Sequence, residues 1–375
     1  MEKLPDELWL LIFNSLQKFD VIYSFHGLNL RFQNLIRFYA SSIDLSDLSF
    51  KVFLRFCRET LPIHGHMIQR LTIKGTHQLN VFGEEYILLK RINHLQCLTL
   101  AQVQVSTEKL DVYLKQIPSL NTLHLKLSYN SELRLENILS KNMLFLTNLS
   151  LLEHNNYYFQ NIRIITQSGT QLPQLKILTI EDLQTTKDLY YLFKMMYNLE
   201  ELNLCINLRI RFYSKLLSIS PNIRYLYVNH SNSEATINLL SKLPKVTKLM
   251  IKNLSCRNSY KECEYPFHKT YIIELSQILP KLKELILATP VWSETSHETN
   301  LTPILAIMHS RKYFKSLIHL RLKLKIHGYE NDVGGLMVQE LNEALTAYLK
   351  DDQYKNLFYE TIYSGNQLYI IDVWF

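Results

Sequence analysis

Along most of the chain one short phrase returns: an aliphatic residue, two variable ones, an aliphatic, one variable, an aliphatic. It reads IQRLTI at 68–73, LQCLTL at 95–100, LNTLHL at 120–125, LTNLSL at 146–151 and LKILTI at 175–180. It continues as LEELNL at 199–204, IRYLYV at 223–228, VTKLMI at 246–251, LKELIL at 282–287 and LIHLRL at 317–322. Alternation at the end of each phrase predicts a short, half-buried strand. In a chain this aliphatic the phrase arises by chance roughly ten times, so the spacing has to decide. The middle leucines, Leu71, Leu98, Leu123, Leu149, Leu178, Leu202, Leu226 and Leu249, step by 27, 25, 26, 29, 24, 24 and 23 residues. Leu285 and Leu320 follow after steps of 36 and 35. Pro118, Pro173, Pro221, Pro244 and Pro280 each stand two residues before the first aliphatic of a phrase. Proline cannot continue a helix and biases its predecessor toward extended backbone, so each marks the end of a helical return.

Between phrases the period changes. Leu110, Leu114 and Ile117 fall on one helical face within 107–117, and Leu189, Phe193 and Met196 do so within 189–196. Ser231-x-x-Glu234 has capping-box spacing ahead of Ile237 and Leu240. Each unit therefore reads as strand, turn and helical return. A period in the twenties built this way resembles the leucine-rich-repeat solenoid, over about residues 65–325. The predicted fold class is α/β, a curved parallel sheet with helical returns. The family's usual asparagine, five residues after the middle leucine, stands only at Asn207, so an irregular horseshoe is expected. Ile43-Asp44-Leu45, with a helical stretch over 50–58, predicts an atypical first repeat or connector at 41–64. Residues 326–375 read as a C-terminal cap, a helix over 336–349 and a closing strand over 368–375. Polar insertions at 255–270 and 289–303 account for the two long steps.

The N-terminus is organised differently. Leu8, Leu11, Ile12, Ser15 and Leu16 share one helical face, with Pro5 ahead of the first turn and Asp6 and Glu7 near its positive end. A second helix is predicted from Asp20, whose carboxylate would cap the turn of 21–25, and a third over about 30–39. Three short helices bury little by themselves. Leu4-Pro5-x-Glu7-Leu8, Ile12-Phe13-x-x-Leu16, Asp20-Val21 and Leu28-x-x-x-Phe32-x-x-Leu35 together resemble the F-box, which many members close with Trp where this chain has Phe32. The resemblance covers residues 1–40. It implies that Leu4, Pro5, Leu8, Ile12, Phe13, Leu16 and Leu35 dock a Skp-type adaptor, and through it a cullin. The downstream repeats would then hold a protein substrate for ubiquitin transfer, with no catalysis in this chain. The alternative is a leucine-rich-repeat scaffold or regulatory binding module outside any ligase.

Composition agrees with a folded binding protein. Of 375 residues 47% are hydrophobic, 20% charged and 68 are leucine, which excludes a disordered chain. A net charge of +7 is modest for this length and does not demand a nucleic-acid partner. Five scattered cysteines, Cys57, Cys97, Cys205, Cys256 and Cys263, suit a reducing compartment. The apolar run over 8–13 is too short for a secretory core, and no stretch approaches the length of a membrane span. The expected location is intracellular, cytoplasm or nucleus.

Catalytic motifs do not emerge. No glycine-rich phosphate loop, GxSxG elbow or HExxH is present. His64-Gly65-His66 offers two imidazoles without a third ligand, and Cys256, Cys263 and His268 lack a standard zinc spacing. No enzyme, cofactor or metal is expected. Alternate strand positions instead predict a concave binding face of Arg70, Thr72, Lys74, Thr122, His124, Lys126, Glu201, Asn203, Tyr225, Tyr227, Asn229, Lys248, Lys252, His319, Arg321 and Lys323. Tyr225, Tyr227, Asn203, Lys126, Lys248, Lys252, Arg321 and Lys323 are the expected substrate contacts, suiting a polar or acidic protein segment. Nucleic-acid binding through Lys248, Lys252, Arg321 and Lys323 would show a steep salt dependence.

Overall fold

The computed structural model describes residues 4–84, 90–103, 106–127, 145–153, 174–183, 193, 196–206, 222–229, 233–252, 269–292, 310, 312–327, 343, 358–364 and 368–374. The chain divides into two compact units, Met1–Ile180 and Glu181–Phe375.

The first unit opens with three helices, α1 (Asp6–Asn14), α2 (Lys18–Phe25) and α3 (Leu30–Ala40). Pro5 precedes α1, where a missing N–H costs nothing, and Asp6 and Glu7 sit in its first turn. α2 begins ahead of the turn at Asp20: Gln17 stands at its N-cap and makes no side-chain bond, so Asp20 lies inside the first turn and caps nothing. Gly27, at φ +78°, takes the left-handed conformation that lets the chain turn toward α3. The Asn29 Oδ1 then accepts from the Phe32 backbone N–H at 2.9 Å and caps that helix.

Strand β1 (Ser42–Asp44) follows, and then a helical stretch made of α4 (Phe50–Arg55), a π turn (Phe56–Thr60) and α5 (Leu61–His64). After it come β2 (Arg70–Lys74), α6 (Thr76–Glu84), β3 (Cys97–Val103), α7 (Thr107–Leu114), β4 (Thr122–Leu127), β5 (Asn148–Glu153) and β6 (Ile177–Leu183). Every neighbouring strand pair from β1 to β6 is parallel. The register aligns Ile43, Leu71, Leu98, Leu123, Leu149 and Leu178 in one row, all at most 5% exposed. Each such side chain removed from water contributes about 1.5–3 kcal/mol, which is what holds the register. α7 buries Leu110, Leu114 and Ile117 beneath this sheet, and its first turn is capped by the Ser106 hydroxyl, accepting from the Lys109 N–H at 3.4 Å.

The second unit repeats the scheme with β7 (Glu201–Ile206), β8 (Tyr225–Asn229), α8 (Ser233–Leu240), β9 (Lys248–Lys252), α9 (Lys269–Ile278), β10 (Glu284–Trp292) and β11 (His319–His327). Its strands are parallel from β7 to β11, and Leu202, Leu226, Leu249, Leu285 and Leu320 form the buried row. β12 (Phe358–Ser364) and β13 (Leu368–Trp374) then pair antiparallel, β13 lying between β11 and β12. Val373 extends the buried row into β13.

An asparagine ladder is not what spaces these repeats. One backbone carbonyl just ahead of a strand accepts two successive N–H groups of the next: Gln96 and Cys97 donate to Gln69, Asn121 and Thr122 to Gln96, and Thr247 and Lys248 to Arg224. This satisfies the turn donors without any side chain. Two expected boundaries need correction. Residues 289–292 lie in β10, not in the insertion, and Lys269 and Thr270 open α9. Pro290 is tolerated in β10 because the pairing with β9 stops at Ala288, so no bond from its nitrogen is missed. Ser231 of the expected capping box and, apart from Glu343, the expected helix over 336–349 lie outside the described residues. The chain is thus a mixed α/β protein whose strand ladders, parallel except at β12 and β13, have the arrangement of a leucine-rich-repeat solenoid.

Candidate protein-binding surfaces

Two surfaces present chemistry. The first is on the N-terminal helices. Their interior is closed by an aromatic cluster: the Trp9 ring meets Phe32 at 4.9 Å and Phe25 at 5.6 Å, and Phe13 meets Phe25 at 4.9 Å. Val21, Ile22, Leu35 and Ile36 fill the rest. Arg31 joins the start of α3 to that of α1, reaching Asp6 at 2.6 Å and the Leu4 carbonyl. The Arg55 guanidinium lies 4.4 Å over the Tyr23 ring, and His26 meets His64 edge-on at 5.7 Å, so the helices are seated on the first repeat.

With that core complete, the opposite face of α1 remains open. Leu8 is 43% exposed, Leu11 64%, Ile12 38% and Leu16 42%. Leu4 and Pro5 are exposed beside them. Phe13 and Leu35, expected among the docking residues, are buried in the helices' own core. Leu28, in the α2–α3 turn, and Leu30, the first residue of α3, are also exposed.

The second surface is the open face of the sheets, where alternate residues stand in rows across the strands. In the second unit the first row runs Glu201, Tyr225, Lys248, Glu284, His319, Trp374, Phe358. The second runs Asn203, Tyr227, Met250, Ile286, Arg321, Asp372, Glu360, and the third Cys205, Asn229, Lys252, Ala288, Lys323, Ile370, Ile362. Lys248, Glu284, His319, Arg321 and Asp372 of the first two rows are joined to one another. Asp372, only 2% exposed, accepts from Arg321 Nε at 2.5 Å and Nη2 at 2.8 Å, and lies 3.0 Å from His319 Nε2. His319 stacks on Trp374 at 5.1 Å and faces Glu284 at 3.6 Å, and Lys248 closes the chain on Glu284 at 2.9 Å. Burial works to raise the Asp372 carboxyl pKa, yet the hydrogen bonds from Arg321 and His319 outweigh it and hold the group below its ordinary value.

Expected substrate contacts are redistributed accordingly. Tyr225 (44% exposed), Tyr227, Asn203, Lys248, Lys252, Arg321 and Lys323 share the second unit's face, whereas Lys126 stands in the first unit. Arg321 and Lys248 are members of an internal ion-pair network. Asn203 donates to Glu201 on its own strand at 3.1 Å. Lys252 and Lys323 have no ion-pair partner among the described residues. In the first unit Arg70, Thr72 and Lys74 stand on β2 and Thr122, His124 and Lys126 on β4. Lys74 faces Asp47 at 3.8 Å.

Among the described residues no group of acidic, histidine or cysteine side chains is arranged to hold a metal. His64 is buried at the end of α5, away from solvent, and Cys57 and Cys97 form no disulfide among the described residues. No helix among the described residues is long and apolar enough to cross a membrane.

No family model and no curated protein matches the sequence. Among solved structures, a chain of the TLR13–ssRNA13 complex aligns at 16% identity and TM-score 0.43, covering 80% of this chain and 38% of that one. The leucine-rich repeat-containing protein LegL7 from Legionella pneumophila aligns at 15% identity and TM-score 0.42, covering 86% and 94%. A chain of the mouse RP105/MD-1 complex aligns at 16% and TM-score 0.37, covering 70% and 44%. The chain therefore spans less than half the length of the TLR13-complex and RP105-complex chains it resembles.

Proposed function

We propose that this chain is a non-enzymatic protein receptor. Its N-terminal helices would act as an F-box that docks a Skp-type adaptor and through it a cullin, and the open face of its repeats would capture a protein substrate for ubiquitin transfer. One observation carries the reading: α1 exposes Leu8, Leu11, Ile12 and Leu16 on one side while Trp9 and Phe13 complete a closed aromatic core on the other. Exposed leucines that the fold does not need for its own core are a surface awaiting a partner. Two sites on one chain raise the effective concentration of substrate near a transferring enzyme without chemistry here.

The test is affinity capture of the full chain with recombinant Skp-type adaptor and cullin. Ile12→Asp places a charge in the docking face and is expected to abolish adaptor capture with an unchanged melting transition, since Ile12 lies outside the core. Adaptor capture undiminished by Ile12→Asp defeats the docking assignment. Capture of the adaptor without a cullin defeats the ligase assignment and leaves a scaffold.

A further inference from the structure

The three rows on the second unit's open face are not electrically equivalent. In the first row Lys248 is neutralised by Glu284, and in the second Arg321 by Asp372. The third row holds Lys252 and Lys323 and no acidic residue at all, from β7 to β12. The two lysines flank Ala288, each one strand away from it. Strands lie about 4.8 Å apart, so the two stems rise about 10 Å from one another. Ala288 between them is small and only 8% exposed, so a ligand would meet the lysine side chains and not the alanine. The first unit carries the same spacing in Lys74, Ala101 and Lys126, but there Lys74 already faces Asp47.

We propose that Lys252 and Lys323 form a two-point clamp for an acidic peptide segment lying across the strands in polyproline II conformation, with a carboxylate at every third residue. This deepens the receptor reading above and rests on it, because it names the chemistry of the segment that the repeat face would capture. Polyproline II has three residues per turn and rises about 3.1 Å per residue, which puts residues three apart on one side at about 9.3 Å. That matches two strand spacings, and the conformation is already populated in unfolded chains, so little ordering entropy is lost. Docking on the face needs no free strand edge. Nucleic acid fits less well: two unpaired cations neutralise too few phosphates to hold a polyanion.

The experiment measures fluorescence polarisation of a labelled Glu-Pro-Pro repeat peptide with the full chain, beside the matching Gln-Pro-Pro peptide and an oligothymidylate. The glutamate peptide is expected to bind at least tenfold more tightly than the glutamine peptide. Lys252→Gln and Lys323→Gln are each expected to weaken it about fivefold or more, and the double variant to abolish the preference. Lys281→Gln, an exposed lysine outside the row, leaves it within twofold. Since neither clamp lysine has an ion-pair partner among the described residues, circular dichroism melts of the variants should match the parent. Equal binding of the two peptides, retention of the preference by the double variant, or tighter binding of the oligothymidylate overturns the clamp. Adaptor capture reports on the helices alone, so a failed clamp with intact adaptor capture is distinguishable from failure of the receptor reading.

Discussion

In the first unit the middle row of the open face runs Thr72, Thr99, His124, Ser150, Thr179; in the second the corresponding row runs Tyr227, Met250, Ile286, Arg321, Asp372. One residue along each strand, the buried rows are nearly identical, leucine beside leucine in both. A parallel ladder requires an aliphatic of constant size on its inner side, because a wrong volume there leaves a cavity or a clash. It asks nothing so specific of the outer side. Hydroxyls and one imidazole fill this row of the first face, whereas the second ties its strands together with a charge network. The repeat supplies the frame, and the distinction between faces resides in positions the repeat does not constrain.

Equivalence of the inner rows gives the largest effects. Leu123→Ala and Leu226→Ala each remove a fully buried side chain and are expected to cost about 2–5 kcal/mol, as read by hydrogen exchange of the affected strands. Tolerance of one and not the other would mean the two ladders are not the same structure. Next comes the outer difference. Arg321→Ala strands Asp372 without its bidentate partner and should cost about 2–3 kcal/mol, while Thr99→Ala in the first unit should stay within about 0.5 kcal/mol. Lys248→Ala, whose pair with Glu284 is open to solvent, should cost under about 1 kcal/mol. Similar losses at Arg321 and Lys248 would refute the asymmetry between buried and exposed pairs.

Strand positions were legible because a middle leucine at near-constant spacing leaves one way to stack, and all ten phrases form strands in that register. What sequence could not convey was which exposed cation is already spent. Arg321 and Asp372 are 51 residues apart, and only the antiparallel return of β13 brings them together. β12 escaped for a related reason, since FYETIYS carries no phrase. The burial of Phe13 and Leu35 was not legible, because helical periodicity identifies apolar faces without saying which turns inward; the aromatic cluster around Trp9 decides that.

The smallest predicted effect separates the two units by acid. In the first unit His64 is buried, and burial, aided by His26 and His66, lowers its pKa from 6.5. His124 is lowered likewise, by burial and then by Lys126. For both, the unfolded chain takes up the proton first as pH falls. Their contribution to stability is therefore complete above about 6.5 and drains away as pH drops through the depressed folded values. Asp372 in the second unit is also lowered, but from 3.8, so its contribution survives until pH falls below that value. Hydrogen exchange followed by mass spectrometry between pH 7.5 and 4.5, corrected for intrinsic rates, should show protection falling in β1 to β4 while β10, β11 and β13 hold. His64→Leu should shrink that fall and cost little at pH 7.5, because neither ring nitrogen has a hydrogen-bond partner among the described residues to lose. Parallel loss in both units, or an undiminished fall in His64→Leu, would remove the buried imidazole as the acid-sensitive element.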